Sequence, residues 1–154
     1  KTLLQQNEGY DVRVAAGVSD MARNVLETAV VRSFVTGDEP DFVGPRLSAS
    51  NPTDEQAGIS TSPLLVLTFD ERLDETTTDN MVDLYNYTSG GYLPVSTSLS
   101  VDGTILTVSP VNVLPESTRF RLRVLGGRGA DVSGNTSGWS YIDFTTTAGA
   151  LGGN

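Results

Sequence analysis

The sequence predicts an all-β fold, an antiparallel sandwich of about seven strands that is preceded by a partial copy of the same unit. Composition is the first reason, because Ser and Thr supply 33 of the 154 residues and Gly supplies another 16. Such a chain favours strands and turns over helices. Patterning is the second reason, since short apolar runs alternate with turn residues and no segment keeps a helical period.

The expected strands follow one another at short spacing. The Asp102-Gly103 pair is the strongest hairpin signal, and we assign it to a type I′ turn. A single helical turn follows Leu73, with Asp74 or Thr76 as its cap. The expected strands cover residues 47–52, 64–69, 81–87, 92–100, 104–110, 118–125 and 139–147. Seven short strands in a segment of this length are typical of an immunoglobulin-like sandwich.

Four features near the N-terminus recur in the same order near the C-terminus. Leu4, Tyr10–Val14, Asp20–Asn24 and Ser33–Thr36 correspond to Leu114, Phe120–Val124, Asp131–Asn135 and Asp143–Thr146. Three of these offsets are 110 residues, and the offset of the Asp/Asn pairs is 111. We therefore expect one complete repeat unit and the last third of a preceding one.

This repeat defines the expected domain organisation. Residues 1–37 are either the C-terminal strands of a preceding repeat or strands exchanged with a neighbouring subunit, because a lone hairpin buries too little to be stable. Residues 38–45 form a linker with two prolines. Residues 46–148 form the complete domain, and residues 149–154 form a tail or the next linker.

Several short motifs of the complete unit resemble a known family. They are Leu67–Leu73 (LTFDERL), Leu106–Pro110 (LTVSP), Phe120–Val124 (FRLRV), Asp131–Asn135 (DVSGN) and Phe144–Thr146 (FTT). Together they resemble the bacterial Ig-like domains that are repeated in S-layer proteins and large secreted surface proteins. The resemblance implies an Ig-like sandwich and an extracellular or cell-surface location. Arg23 departs from the pattern, because a Gly is usual before the Asn of the DVSGN-type turn.

Composition excludes several kinds of chemistry. The chain has no His and no Cys, so Ser-His and Cys-His nucleophile pairs and thiolate or imidazole metal sites are absent. Its 19 acidic residues outnumber 10 basic ones, which argues against a nucleic-acid partner. No run is long enough to insert into a membrane. We expect no enzyme activity and no cofactor, apart from a possible calcium ion.

The calcium candidates lie in the linker. Asp38, Glu39 and Asp41 place three carboxylates at a domain junction, where an ion could stiffen the joint. The alternative is a solvated acidic linker.

The candidate interaction residues lie on the last two strands. Arg119, Arg121 and Arg123 alternate with apolar residues and are expected on the exposed face, together with Trp139 and Tyr141 of the neighbouring strand. One interpretation is a solvated cross-strand set with Arg–aromatic stacking and an Arg–Asp pair. The other is a flat platform for a sugar or a neighbouring subunit.

These observations favour a non-catalytic structural or adhesive Ig-like module of an extracellular bacterial surface protein, stalk or filament. Its expected partners are neighbouring Ig-like repeats or identical subunits, with surface glycans as a further possibility. The alternative is a carbohydrate-binding or accessory module of a secreted enzyme.

Overall fold

A computed structural model describes residues 4–37 and 41–148. The described residues fall into two compact units, one ending at Asp41 and the other beginning at Phe42. This boundary lies inside the segment 38–45 that the sequence predicts to be a linker.

The first unit is an antiparallel β-hairpin. Its strands are β1 (Gly9–Val14) and β2 (Val30–Val35). They pair in register, with Gly9 opposite Val35 and Val14 opposite Val30. Among the described residues, this sheet consists of these two strands.

The second unit is a sandwich of two sheets. Its strands are β3 (Leu47–Asn51), β4 (Gln56–Ile59), β5 (Leu65–Phe69), β6 (Val82–Asn86), β7 (Gly91–Leu93), β8 (Val95–Leu99), β9 (Ile105–Pro110), β10 (Arg119–Val124) and β11 (Ser140–Thr146). One sheet has the order β4-β11-β10-β6-β7, and the other has the order β3-β5-β9-β8. The paired strands are antiparallel except β4 and β11, which are parallel. The predicted all-β Ig-like sandwich is therefore confirmed.

The core lies between the two sheets. Alternation puts every second side chain of β5, β6, β9, β10 and β11 on the inner face. The buried apolar side chains are Leu65, Leu67, Phe69, Leu73, Met81, Val82, Leu84, Leu106, Val108, Leu114, Phe120, Leu122, Val124, Ile142 and Phe144. None of them is more than 7% exposed.

The prediction of a single strand over residues 92–100 is wrong. The chain leaves the five-stranded sheet after Leu93 and enters the four-stranded sheet at Val95. Pro94 lies between them and has no amide hydrogen to continue a ladder, so the segment divides at that residue. The sequence-based prediction also missed β4, which is only four residues long.

Two turn predictions have different outcomes. The cap at Asp74 is confirmed, because its carboxylate accepts a hydrogen bond of 2.9 Å from the Thr76 amide at the start of a 3₁₀ helix, Glu75–Asn80. The type I′ assignment is wrong, because that turn needs positive φ at both central residues. Gly103 has φ of +77°, whereas Asp102 is outside the left-handed region. The Gly103 amide donates to Ser100 O at 2.9 Å, so Gly103 follows the turn as its last residue.

The hairpin of the first unit has the same internal geometry as the hairpin of β10 and β11. Gly9 pairs with Val35, and the residues 110 positions later, Arg119 and Thr145, also pair. Both strands therefore keep one register in the two places.

The ring contacts are also the same. Tyr10 stacks on Phe34 with centroids 5.8 Å apart and an interplanar angle of 26°. Phe120 stacks on Phe144 at 5.5 Å and 26°.

One buried threonine organises the end of β11, and its counterpart does the same in the hairpin. Thr146 Oγ1 donates to Pro115 O at 2.6 Å and accepts from the Thr118 amide at 3.0 Å. Thr36 Oγ1 donates to Gln5 O, and it accepts from the Glu8 amide at 3.0 Å. The partners in the two sets are again 110 residues apart.

The loop between the two strands contains the same Asp/Asn turn in both units. Asp131 accepts from the Asn135 amide and from its side-chain Nδ2, both at 2.8 Å. Asp20 accepts from the Asn24 amide at 2.9 Å and from its Nδ2 at 2.8 Å. Each Asp side chain thus closes its own loop.

Arg23 is tolerated in this turn without a change of hydrogen bonds. It takes the same left-handed backbone as its glycine counterpart, with φ of +68° against +91° at Gly134. An L side chain is strained there, so the turn in the first unit is formed at some cost.

No helix among the described residues is long and apolar enough to cross a bilayer.

Candidate interaction face on the five-stranded sheet

The register of three strands creates the candidate face. Strand β10 directs Phe120 and Leu122 into the core, so its three arginines lie on the outer surface of the sheet. Arg121 is opposite Asp143 on β11 and Tyr85 on β6. The predicted placement of the arginines on the outer face is thus what the structure has.

Asp143 is the centre of the main ion-pair network. Its Oδ1 accepts from Arg121 Nε at 2.6 Å, and its Oδ2 accepts from Arg121 Nη2 at 2.9 Å and from Arg119 Nη2 at 2.6 Å. The Asp143 side chain is only 3% exposed although it is on the outer face, because the two arginines cover it. The hydrogen bond from Arg121 holds the pKa of Asp143 below its ordinary value, against the opposing effect of burial.

A second pair lies one step further along the strand. Arg123 Nε donates to Asp83 Oδ1 at 2.6 Å, and Arg123 Nη2 donates to Asp83 Oδ2. This bidentate bond raises the pKa of Arg123 above its ordinary value. Arg119 also pairs with Glu55, whose side chain is 65% exposed. Three guanidiniums thus face three carboxylates, so the face carries little net charge.

Tyrosines cover the arginines from the solvent side. Arg121 lies over the rings of Tyr87 and Tyr141, with its Cζ 5.4 Å from each centroid. Arg123 lies over Tyr92 at 4.8 Å. Each of these arginines therefore has both a carboxylate partner and an aromatic partner.

The tyrosines and arginines together line a shallow depression of about 380 Å³. Its lining residues are Tyr85, Tyr87, Tyr92, Arg121, Arg123 and Tyr141. Three of these, Tyr85, Tyr87 and Tyr92, were not among the predicted interaction residues. Alternation within residues 81–87 is a signal that could have placed the first two on the outer face.

Trp139 lies at the end of the face and not in the depression. Its ring is parallel to that of Tyr141, with centroids 6.1 Å apart and an interplanar angle of 13°. The indole rests against Gly126, where an added Cβ would be 2.5 Å from Trp139 Cδ1. Trp139 is 57% exposed and Tyr141 is 50% exposed. The five predicted residues thus share one face, in two adjoining parts.

The charged groups of this face do not suit proton transfer at neutral pH. Hydrogen bonds from the guanidiniums keep Asp143 ionised, and the bond to Asp143 raises the pKa of Arg121. The arrangement can present aromatic rings to a flat ligand, and it can tie three strands together.

The calcium prediction stays a prediction. Asp38 and Glu39 lie outside the described residues, and Asp41 is described and exposed.

Residues 41–146 match the bacterial Ig-like domain family. The sandwich and this match together show that the chain belongs to the bacterial Ig-like domain family, so the resemblance noted from the motifs is confirmed. No significant match is found among curated protein sequences.

Solved structures with the same fold come from different kinds of protein. Domains 1–6 of the surface layer protein SbsC align with a TM-score of 0.53 and 17% identity, covering 68% of this chain and 14% of that one. PcoC, a methionine-rich copper resistance protein from Escherichia coli, aligns with a TM-score of 0.55 and 17% identity, covering 68% and 100%. CopC from Methylosinus trichosporium OB3b aligns with a TM-score of 0.51 and 16% identity, covering 69% and 96%. At such identities the likeness shows the fold alone, and the chain spans only a small part of SbsC.

Proposed function

We propose that this chain is a non-catalytic structural module of an extracellular bacterial surface protein in which Ig-like domains follow one another. The observation that carries the proposal is the recurrence of one hairpin, with its register, threonine bonds and Asp/Asn turn, 110 residues apart. A complete Ig-like domain joined to the end of another is the arrangement expected of a stalk or array. The similarity of fold to domains of a surface layer protein supports the location.

The chemistry of the side chains supports a role without catalysis. The sequence has neither His nor Cys, which removes the commonest bases and nucleophiles. The charged groups of the candidate face are engaged with one another and keep their charge at neutral pH. The face then serves to hold β6, β10 and β11 together.

The strand order of the second unit suits a module that carries load. Strand β4, near the start of the unit, pairs in parallel with β11 at its end, and Thr147 N donates to Ile59 O at 2.8 Å. When the two ends are pulled apart, parallel strands slide along each other, so several hydrogen bonds resist together. Opening an antiparallel hairpin from its end breaks them one after another.

Single-molecule unfolding tests this role. With handles at residues 42 and 148, we expect one all-or-none event that lengthens the chain by roughly 35 nm, the extended length of about a hundred residues. Gradual lengthening without a discrete event would contradict a load-bearing module.

A carbohydrate-binding module is the second candidate, and the exposed Trp139–Tyr141 stack favours it. Aromatic faces at the end of a sheet can pack on sugar rings. A glycan array decides between the two functions. Specific binding that is lost in Trp139→Ala and kept in Tyr10→Ala, an aromatic of the first unit, would favour the carbohydrate-binding module. The structural proposal expects no specific glycan to be retained.

A further inference from the structure

The hairpin of residues 4–37 has an apolar face whose counterpart in the second unit is entirely buried. Val12 is 56% exposed, whereas Leu122 at the corresponding position is 1% exposed. Phe34 is 43% exposed, whereas Phe144 is 1% exposed. In residues 114–147 this inner face is covered by the opposite sheet of the sandwich. The covering layer for residues 4–37 is not among the described strands of its own sheet.

Both edges of the hairpin also correspond to paired edges. In the second unit β10 pairs with β6 on its outer side, as in the bond of 3.2 Å from Tyr87 N to Arg119 O. Strand β11 pairs with β4 in parallel. The same alternation places the amides of Asp11 and Arg13 on the free edge of β1, and the amides of Ser33 and Val35 on the free edge of β2.

One position shows that the second unit of another copy is a poor source for the missing layer. Arg32 is opposite Val12, as Ile142 is opposite Leu122. Ile142 is 2% exposed in its core. If the hairpin replaced β10 and β11 of a second copy, the Arg32 guanidinium would enter an apolar core without a charged partner, which is costly. The occupant must therefore have a core suited to Arg32.

We propose that residues 4–37 are the last two strands of a separate Ig-like sandwich, whose other strands precede them on a longer polypeptide. The order follows from the second unit, where β3 to β9 precede β10 and β11 in the chain. The partner is thus an antiparallel strand against β1, a parallel strand against β2, and an apolar sheet over Val12 and Phe34. This inference rests on the proposed tandem arrangement and names the partner of its N-terminal part.

A fusion protein tests the proposal. Residues 42–113 are placed directly ahead of residue 4, so that the seven strands β3 to β9 precede the hairpin while the second unit remains as an internal reference for folding. It is made with Arg32 and with Arg32→Ile, which removes the mismatch described above. Hydrogen exchange is followed at the free-edge amides of Asp11 and Ser33, in the fusion and in the unfused chain, and light scattering gives the mass of each.

The expected result is fast exchange in the unfused chain and exchange slowed by at least roughly 100-fold in the Arg32→Ile fusion, which is monomeric. Val12→Asp, on the inner face, should abolish the protection, whereas Ser33→Asp, on the outer face, should keep it. Unprotected amides in both fusions would overturn the proposal. Protection already present in an unfused dimer would also overturn it, because a second copy would then be the occupant. Glycan binding by the candidate face would contradict the proposed function without altering either exchange result.

Discussion

Replacing Asp143 by Asn should weaken the second unit strongly for a change on an outer face. The carboxylate accepts three hydrogen bonds from Arg119 and Arg121, and its side chain is 3% exposed. An amide keeps one acceptor oxygen but turns an N–H₂ group toward a guanidinium that can only donate. Hydrogen bonds to charged groups are worth about 1.5–3 kcal/mol each in net terms, and leaving a buried partner unsatisfied costs more.

Solvent reduces that figure at this site. The side chains of Arg119 and Arg121 are 48% and 37% exposed, so water can replace part of what they lose. We therefore expect Asp143→Asn to lower the free energy of unfolding by about 2 kcal/mol. With a urea dependence of about 2 kcal/mol per M, the midpoint should fall by roughly 1 M.

Urea unfolding at pH 7 followed by fluorescence measures this change. Trp139 is the single tryptophan and lies at the end of the same face, so the signal reports on the second unit. The matched control is Glu55→Gln, which breaks an exposed pair with Arg119 and should cost less than about 0.5 kcal/mol. If Asp143→Asn is no more harmful than the control, the network does not hold the sheet together.

Three further predictions can be checked on the same protein. Leu122→Ala should cost about 3 kcal/mol by leaving a cavity in the core, whereas Val12→Ala at the corresponding exposed position should leave urea unfolding of the second unit unchanged. The pKa of Asp143 is lowered by its arginines, and hydrogen bonds from Asn135 lower the pKa of Asp131 against the effect of burial. The stability that these carboxylates supply is therefore fully present above the ordinary carboxyl pKa of about 4 and is lost as the pH falls through their folded values, so urea midpoints should decline below about pH 4 and decline less in Asp143→Asn. Gly126→Ala should displace the indole of Trp139 and shift its fluorescence, because the added Cβ has no room.

Local alternation was enough to predict the core and the direction of the arginines. Strand β10 reads Arg-Phe-Arg-Leu-Arg-Val, and a period of two separates its two faces without any knowledge of its neighbours. The same rule fixed the inner faces of β5 and β11. The repeat then added the register of the hairpin, because equal spacing along two chains implies equal pairing.

The rest of the face depends on which strands are neighbours, and this is a property of the tertiary fold. Tyr92 reaches Arg123 only because β7 joins the sheet beside β6, after a chain division at Pro94. Asp143 lies on the outer face by alternation, yet two long arginine side chains bury it. Burial of that kind comes from side chains on another strand, so strand periodicity does not reveal it.

The central claim, that the second unit is built to bear load between its ends, is tested most directly by changing the direction of pulling. The chain has no native Cys, so handles can be attached through pairs of introduced ones. One pair is placed at residues 42 and 148, where force slides β4 along β11. The other is Pro94→Cys with Val111→Cys, at the open end of the β8–β9 hairpin, where Val111 N donates to Pro94 O at 3.0 Å. The account predicts a clearly higher unfolding force for the first pair, whereas equal forces, or a lower force between the ends, would contradict it.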